Sequence, residues 1–148
     1  MAASLTWVAN LCIYIPMTLP WDYPVSRVFW VNGATITSTD ASFAIYSDDG
    51  TRIYTTGAVA MSGASNNSQY VTPSTPFVLS AGSYFFAWSC NNSANRVAGT
   101  GSLTALAQRG GGIFQEASAH PAPATPTFAA AAQAVYPFCG VTSTTTGF

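Results

Sequence analysis

Few side chains in this sequence could carry out catalysis, because the 148-residue chain contains one histidine and five acidic residues. His120 lies between Ala119 and Pro121. A nucleophile activated by histidine needs a Ser or Cys within hydrogen-bond reach and a carboxylate that orients the imidazole. No nucleophile motif accompanies His120, and we therefore interpret it as a structural or surface residue.

The carboxylates are equally uninformative about catalysis. Paired general acid and base chemistry would have to use Asp22, Asp40, Asp48, Asp49 or Glu116. Asp48-Asp49-Gly50 is typical of a turn, and the regular spacing of oxygen ligands in a calcium loop is missing. We expect no catalytic residue, no metal ligand and no cofactor, and hence a protein that is not an enzyme.

The cysteines and a glycine run complete the list of reactive or ligand-binding candidates. Cys12, Cys90 and Cys139 have neither CxxC spacing nor a histidine cluster beside them, which argues against zinc. Buried thiols are the favoured interpretation, and one disulfide with a spare thiol is the alternative. Gly110-Gly111-Gly112 lacks the Lys-Ser/Thr of a phosphate-binding loop and is interpreted as a flexible joint.

The amino-acid composition limits the kinds of partner that the chain could bind. Only 6% of the residues are charged, compared with about 25% in an average soluble domain. The four basic residues are dispersed arginines, so no basic stripe for nucleic acid exists. No apolar run is long enough to insert into a membrane, and the N-terminus does not resemble a signal peptide. Hydroxyl and amide groups desolvate at lower cost than charges, which indicates a surface suited to assembly.

One aromatic pair is a candidate binding site. Trp21 and Tyr23 lie between Pro20 and Pro24, and amphipathic aromatic rings serve at recognition surfaces. They could form an exposed platform for sugar rings. The alternative is that they pack at the start of a strand or at a subunit interface.

Patterns typical of β-strands dominate the sequence, so strands must position the candidate residues described above. Residues 7–15, 25–31 and 83–90 are rich in β-branched and aromatic side chains. Residues 42–47 and 51–56 flank Asp48-Asp49-Gly50, which predicts a hairpin, and Gly82 is predicted to occupy a second turn. Prolines are expected between strands. The predicted core contains Val28, Trp30, Ile45, Tyr84, Phe86 and Trp88.

These patterns predict an all-β fold, an antiparallel β-sandwich of jelly-roll type with an extended C-terminal arm. Residues 1–109 are assigned to the sandwich. Residues 110–148, rich in Gly, Pro and Ala, are assigned to an arm that completes the same domain or forms an intersubunit contact. Residues 103–108 and 129–134 are weak helix candidates. The candidate intersubunit side chains are Phe114, Phe128, Tyr136 and Phe138.

Several short motifs, taken in order, resemble one known group of proteins. They are Asn32-Gly33-Ala34-Thr35, residues 44–52, Thr56-Gly57, residues 79–87, residues 114–124 and residues 134–138. This order is similar to β-sandwich domains of tailed-bacteriophage virion proteins, which include head-decoration, tail-fibre and receptor-binding components.

The resemblance implies a structural role in the virion without catalytic residues. It implies a homo-oligomer, expected to be a trimer, that contacts other virion proteins after synthesis in the host cytoplasm. The absence of an upstream fibre shaft in this sequence favours a capsid decoration or a small fibre subunit. The alternative function is a tail-associated adhesin that binds host surface glycans through Trp21, Tyr23 or loop asparagines.

Overall fold

A computed structural model describes residues 3–37, 39–94, 96–100, 111–132 and 135–144. Within these residues the chain forms fifteen β-strands and no helix, and the strand pairs are antiparallel, so the all-β prediction is confirmed. The first eight strands are β1 (Ala3–Thr6), β2 (Leu11–Leu19), β3 (Tyr23–Val25), β4 (Arg27–Val31), β5 (Asp40–Ser47), β6 (Arg52–Thr55), β7 (Val59–Ala60) and β8 (Ser68–Val71). The others are β9 (Phe77–Leu79), β10 (Gly82–Cys90), β11 (Arg96–Thr100), β12 (Phe114–Glu116), β13 (Ala129–Ala130), β14 (Tyr136–Pro137) and β15 (Cys139–Thr142).

A seven-stranded sheet forms the centre of the fold. Its order is β13-β12-β2-β10-β5-β6, with β7 also paired to β5. The nine residues of β10 pair with β2 along their whole length, from Gly82 opposite Leu19 to Cys90 opposite Leu11. Three smaller sheets surround it, with the orders β15-β4-β8, β1-β11-β14 and β3-β9.

One face of the central sheet, called the inner face here, carries the larger apolar core. Alternate residues of β2, β5 and β10 point into it, because side chains of a strand alternate between faces. They pack against buried residues of β3, β4 and the loop before β2, which include Val25, Val28, Trp30 and Trp7. The predicted core residues are confirmed as buried: Val28, Trp30, Ile45, Tyr84, Phe86 and Trp88.

The opposite, outer face of the central sheet is also covered. It presents Cys12 and Tyr14 of β2, Ala44 and Tyr46 of β5, and Ala87 of β10. Residues 114–128, called the strap here, cross this face and pack Ala119 and Ala122 against it, flanked by Phe114 and Phe128. Residues 11–15 of β2, 41–46 of β5 and 86–90 of β10 are therefore buried on both faces, and the covering layer comes from the C-terminal third of the same chain.

The hairpin predicted at Asp48-Asp49-Gly50 is confirmed by the pairing of β5 with β6. Gly50 has a φ of 87°, and its N–H donates to the Ser47 carbonyl at 3.0 Å. Asp49 Oδ1 accepts hydrogen bonds from Ser47 Oγ at 2.6 Å and from the Thr51 N–H at 2.9 Å. Gly82 has a φ of 158°, outside the left-handed helical region, and it begins β10 rather than occupying a tight turn.

Replacing Gly50 with Val should destabilise the protein by about 1–3 kcal/mol, because a β-branched residue is strained at positive φ. A Cβ atom at Gly50 would also lie 3.2 Å from Cε2 of Phe128, so the strap would have to shift. Asp48→Asn is the matched control, since Asp48 is exposed in the same turn. Chemical denaturation measures both variants, and equal midpoints would contradict the assigned turn.

The start of one strand and the positions of two prolines differ from the sequence predictions. The strand expected at residues 7–15 begins at Leu11, and Trp7 lies in the preceding loop, where its indole N–H donates to the Leu11 carbonyl at 3.1 Å. Pro16 lies inside β2 and Pro24 inside β3, rather than between strands. Because β12 pairs with β2 only from Cys12 to Tyr14, the missing N–H of Pro16 costs no bond to β12.

The helix expected at residues 129–134 is wrong in its described part, because Ala129–Ala130 form β13 and pair with β12. Pairing with β12 provides hydrogen-bond partners for backbone groups of this alanine segment, which would bond to one another in a helix. The other helix candidate, residues 103–108, lies outside the described residues. Nowhere in the described ranges is there a helix with the length and hydropathy needed to cross a bilayer.

Candidate interaction surfaces

The ribbon formed by β3 and β9, together with the residues just before β3, carries the two most exposed large apolar side chains among the described residues. Trp21, just before β3, has 67% of its surface exposed, and Val78 of β9 has 59%. Val78 pairs with Pro24, which is also exposed. The side chain of Asp22 accepts a hydrogen bond from the Ala81 N–H at 2.8 Å and so ties the Trp21 loop to the turn after β9. We call this surface the exposed ribbon.

Tyr23 does not join Trp21 in a common platform. It is half-buried in β3 and packs against the inner core. Together with Met17, Leu19, Phe29 and Val141 it lines an apolar groove of about 320 Å³. The difference arises because residues 23–25 pair with β9, which turns Tyr23 and Val25 inward and leaves Pro24 outward. Of the two predicted aromatics, Trp21 alone is strongly exposed.

The four aromatic residues predicted for intersubunit contact occupy different environments. Phe114 and Phe128 pack on the outer face of their own chain, with their ring centroids 5.5 Å apart. Tyr136 lies in β14, which pairs with β11, and its side chain packs against the inner core. Phe138 is 38% exposed between β14 and β15. The described part of residues 110–148 thus contributes strands and a covering layer to its own chain.

Polar side chains beneath the strap hold its backbone in place. Tyr14 Oη donates to Glu116 Oε2 at 2.7 Å, and the same oxygen accepts the Thr127 N–H at 3.0 Å. Tyr46 Oη donates to the Pro123 carbonyl at 2.6 Å. The pKa of Tyr14 and that of Tyr46 are both raised above the usual range, mainly because the two side chains are buried. Both tyrosines therefore act as hydrogen-bond donors throughout the ordinary pH range.

Arg52 of β6 and Ser42 of β5 hold a further strap residue from both sides. Arg52 Nη1 donates to the Ala122 carbonyl at 3.0 Å, and Ser42 Oγ accepts the Ala122 N–H at 3.3 Å. Such side-chain bonds replace a strand ladder, because the part of the strap that follows β12 pairs with no strand. Sequence periodicity could not reveal them, since each joins positions at least 70 residues apart.

His120 lies against a serine that the sequence analysis did not connect with it. Ser89 Oγ of β10 is 3.0 Å from His120 Nδ1. Ser89 is fully buried beneath the strap, so no substrate can reach its hydroxyl. His120 Nε2 is also buried and has no hydrogen-bond partner in the described part of the chain. Burial lowers the pKa of His120, while the Asp40 charge and a backbone hydrogen bond to Ser89 oppose this shift.

The remaining reactive groups are dispersed. Among the residues that the structure describes, no group of three or more His, Cys, Asp or Glu side chains could hold a metal ion. Cys12, Cys90 and Cys139 all lie in the described ranges, and no disulfide joins them. Burial, the main cause, raises the pKa of the Cys12 thiol to about 12. Asp49 and Arg52 line a polar depression of about 500 Å³ beside Thr125.

Comparison with known proteins adds no relative. No protein-family model matches the chain, and a search of curated proteins finds no similar sequence. The functional interpretation therefore rests on the surfaces described above.

Proposed function

We propose that this chain is a non-enzymatic structural protein of a tailed-bacteriophage particle, either a capsid decoration or a small fibre subunit. The observation that carries the proposal is the exposed ribbon, where Trp21 and Val78 are 67% and 59% exposed in a chain with only 6% charged residues. Exposed apolar surface next to uncharged polar surface is suited to a lasting contact, because little charge must be desolvated.

The proposed architecture is a jelly-roll-like β-sandwich. Its support is the inner core, which lies between the central sheet and residues from β3, β4 and β15. Sandwiches bury one face of each sheet against the other. The strap would then be a third layer on the outside of the central sheet, and the predicted division at residue 109 would separate parts of one domain.

The proposed oligomer is a homotrimer that also contacts other virion proteins. Phe114 and Phe128 already bury part of their surface against the outer face of their own chain. We therefore assign the contact between subunits, or with the particle, to the exposed ribbon and not to those two strap residues. Obligate interfaces of this kind are apolar at their centre and polar at their rim.

Substitution of Trp21 by Asp should reduce incorporation into particles at least tenfold, because a carboxylate would be desolvated at the centre of the contact. Each variant is expressed in the host during phage production, and the particles are purified on a gradient. Mass spectrometry then measures the amount of the chain in the particles relative to the major capsid protein. Val8→Asp is the matched control, since Val8 is 41% exposed away from the ribbon. Absence of the unaltered chain from particles, or equal loss in both variants, would contradict the proposal.

A second candidate function is a tail-associated adhesin for host surface glycans. The observation in its favour is the same Trp21 side chain, because an exposed indole can stack on a sugar ring. The two variants distinguish the functions on a glycan array. Saturable binding that Trp21→Asp abolishes and Val8→Asp retains would favour the adhesin, whereas incorporation without glycan binding would favour the structural role.

A further inference from the structure

The imidazole of His120 occupies an unusual place in the contact between the strap and the central sheet. Its Nδ1 lies 3.0 Å from Ser89 Oγ, and its Nε2 is buried with no partner among the described residues. A neutral imidazole has one donor and one acceptor nitrogen, whereas the protonated ring has two donors. Protonation therefore adds a positive charge to the partly buried ring and leaves Nε2 as an N–H donor with no acceptor among the described residues, whichever nitrogen carried the proton before.

We propose that His120 is an acid-sensitive clasp, so that uptake of a proton by its imidazole loosens the strap from the outer face while the inner core stays folded. The neighbours of the clasp support this separation. The Ala119 N–H donates to the Asn10 carbonyl at 2.8 Å, and Ala122 is held by Ser42 and Arg52. The strap buries its small residues in a cluster distinct from the inner core.

The direction of the pH effect follows from the environment of the ring. Burial lowers the pKa of His120 in the closed state, and an exposed histidine has its ordinary value of about 6.5. The strap contact is therefore complete above about pH 6.5 and weakens as the pH falls below that value toward the closed-state pKa. The field of Asp40 acts in the opposite direction, since it favours the protonated ring. The charged and titratable groups on the surrounding elements are Asp40 and Tyr46 of β5, Cys12 and Tyr14 of β2, Arg52 of β6 and Glu116 of the strap.

Two cysteines of the chain provide internal probes for the test. Cys12 lies on the outer face directly opposite Ser89, so the strap covers it. Cys90 lies on the inner face, so its exposure requires the core to open. A pyridyl disulfide reagent reacts with thiols in acid as well as at neutral pH. Peptide mass spectrometry then gives the labelling rate of each thiol relative to the unfolded chain.

We expect labelling of Cys12 in the full-length chain to rise by up to about tenfold per pH unit below about pH 6.5, with Cys90 unchanged. His120→Gln retains a hydrogen-bonding side chain without titration and should remove the rise. Asp40→Asn removes a charge that favours the protonated ring in the closed state, so the rise should begin at the same pH, continue to lower pH and become larger, with its midpoint at lower pH. A rise that persists in His120→Gln, a parallel rise of Cys90, or no rise at all would overturn the proposal. If His120→Gln fails to fold, an unchanged midpoint in Asp40→Asn overturns it instead.

Discussion

Trp88→Ala should lower the free energy of unfolding by about 3–5 kcal/mol, the cost of truncating a large side chain in a packed core. Trp88 is fully buried on the inner face of β10, the central strand of the largest sheet. Its ring centroid lies 4.5 Å from that of Trp7 in an edge-on arrangement and 6.5 Å from that of Trp30. Removal of the indole would leave a cavity between the indoles of Trp7 and Trp30, which are held by the hydrogen bond from Trp7 to the Leu11 carbonyl and by the pairing of β4 with β8 and β15.

The matched control is Trp21→Ala, which makes the same chemical change on the exposed ribbon. Because Trp21 is 67% exposed, we expect a change of no more than about 0.5 kcal/mol. Urea denaturation followed by circular dichroism measures both variants. Similar losses in the two variants would mean that the inner core does not contain Trp88 as described.

Phe128→Ala should cost about 2–4 kcal/mol and act mainly on the strap. The ring of Phe128 contacts Phe85, Tyr14 and Phe114, with centroids 4.7, 5.0 and 5.5 Å away. Its backbone has a φ of 46°, which is unfavourable for a bulky side chain and is tolerated when surrounding contacts hold it. The rings of Phe85, Tyr14 and Phe114 provide those contacts.

The readout for Phe128→Ala is the labelling rate of Cys12 at neutral pH, together with the denaturation midpoint. We expect labelling of Cys12 to rise while that of Cys90 stays low, because the strap alone is loosened. Phe138→Ala serves as the control, since Phe138 is 38% exposed and lies outside the strap. If Phe128→Ala leaves the Cys12 rate unchanged, the strap is not held by this ring.

The central strands and their hairpin could be predicted because their information is local. Alternation of large apolar residues identified the inward positions of β10, and Asp-Gly identified the turn between β5 and β6. Ala129–Ala130 could not be assigned in this way, because a short alanine run suits a helix until β12 offers a partner. For the same reason Pro16 was expected outside a strand. Only the pairing of β2 with its neighbours shows that a residue without an N–H is tolerated at this position.

The strap and its ties depend on contacts that no local pattern encodes. Ser89 and His120 are 31 positions apart, and Tyr14 and Glu116 are 102 positions apart. A Pro- and Ala-rich segment indicates extended structure but does not identify the surface that it covers. The small residues on the outward positions of β10, Ala87 and Ser89, were the available signal, because they leave room for a covering backbone.

Coverage of both faces changes what fixes the alignment of β10 with its neighbours. In a sheet with one wet face, a slip of one residue is penalised by burying polar groups and exposing apolar ones. Here both sets of positions are dry over residues 86–90, and they differ in molecular volume: Phe86 and Trp88 face inward, whereas Ala87 and Ser89 face the strap. The larger outward side chain, Phe85, lies beside Phe114 and Phe128 instead of beneath the alanines of the strap. A slip by one residue would place the rings of Phe86 and Trp88 beneath the strap, where Ala119 and Ala122 pack closely and only small side chains fit. Steric size, more than polarity, thus selects the register of this strand.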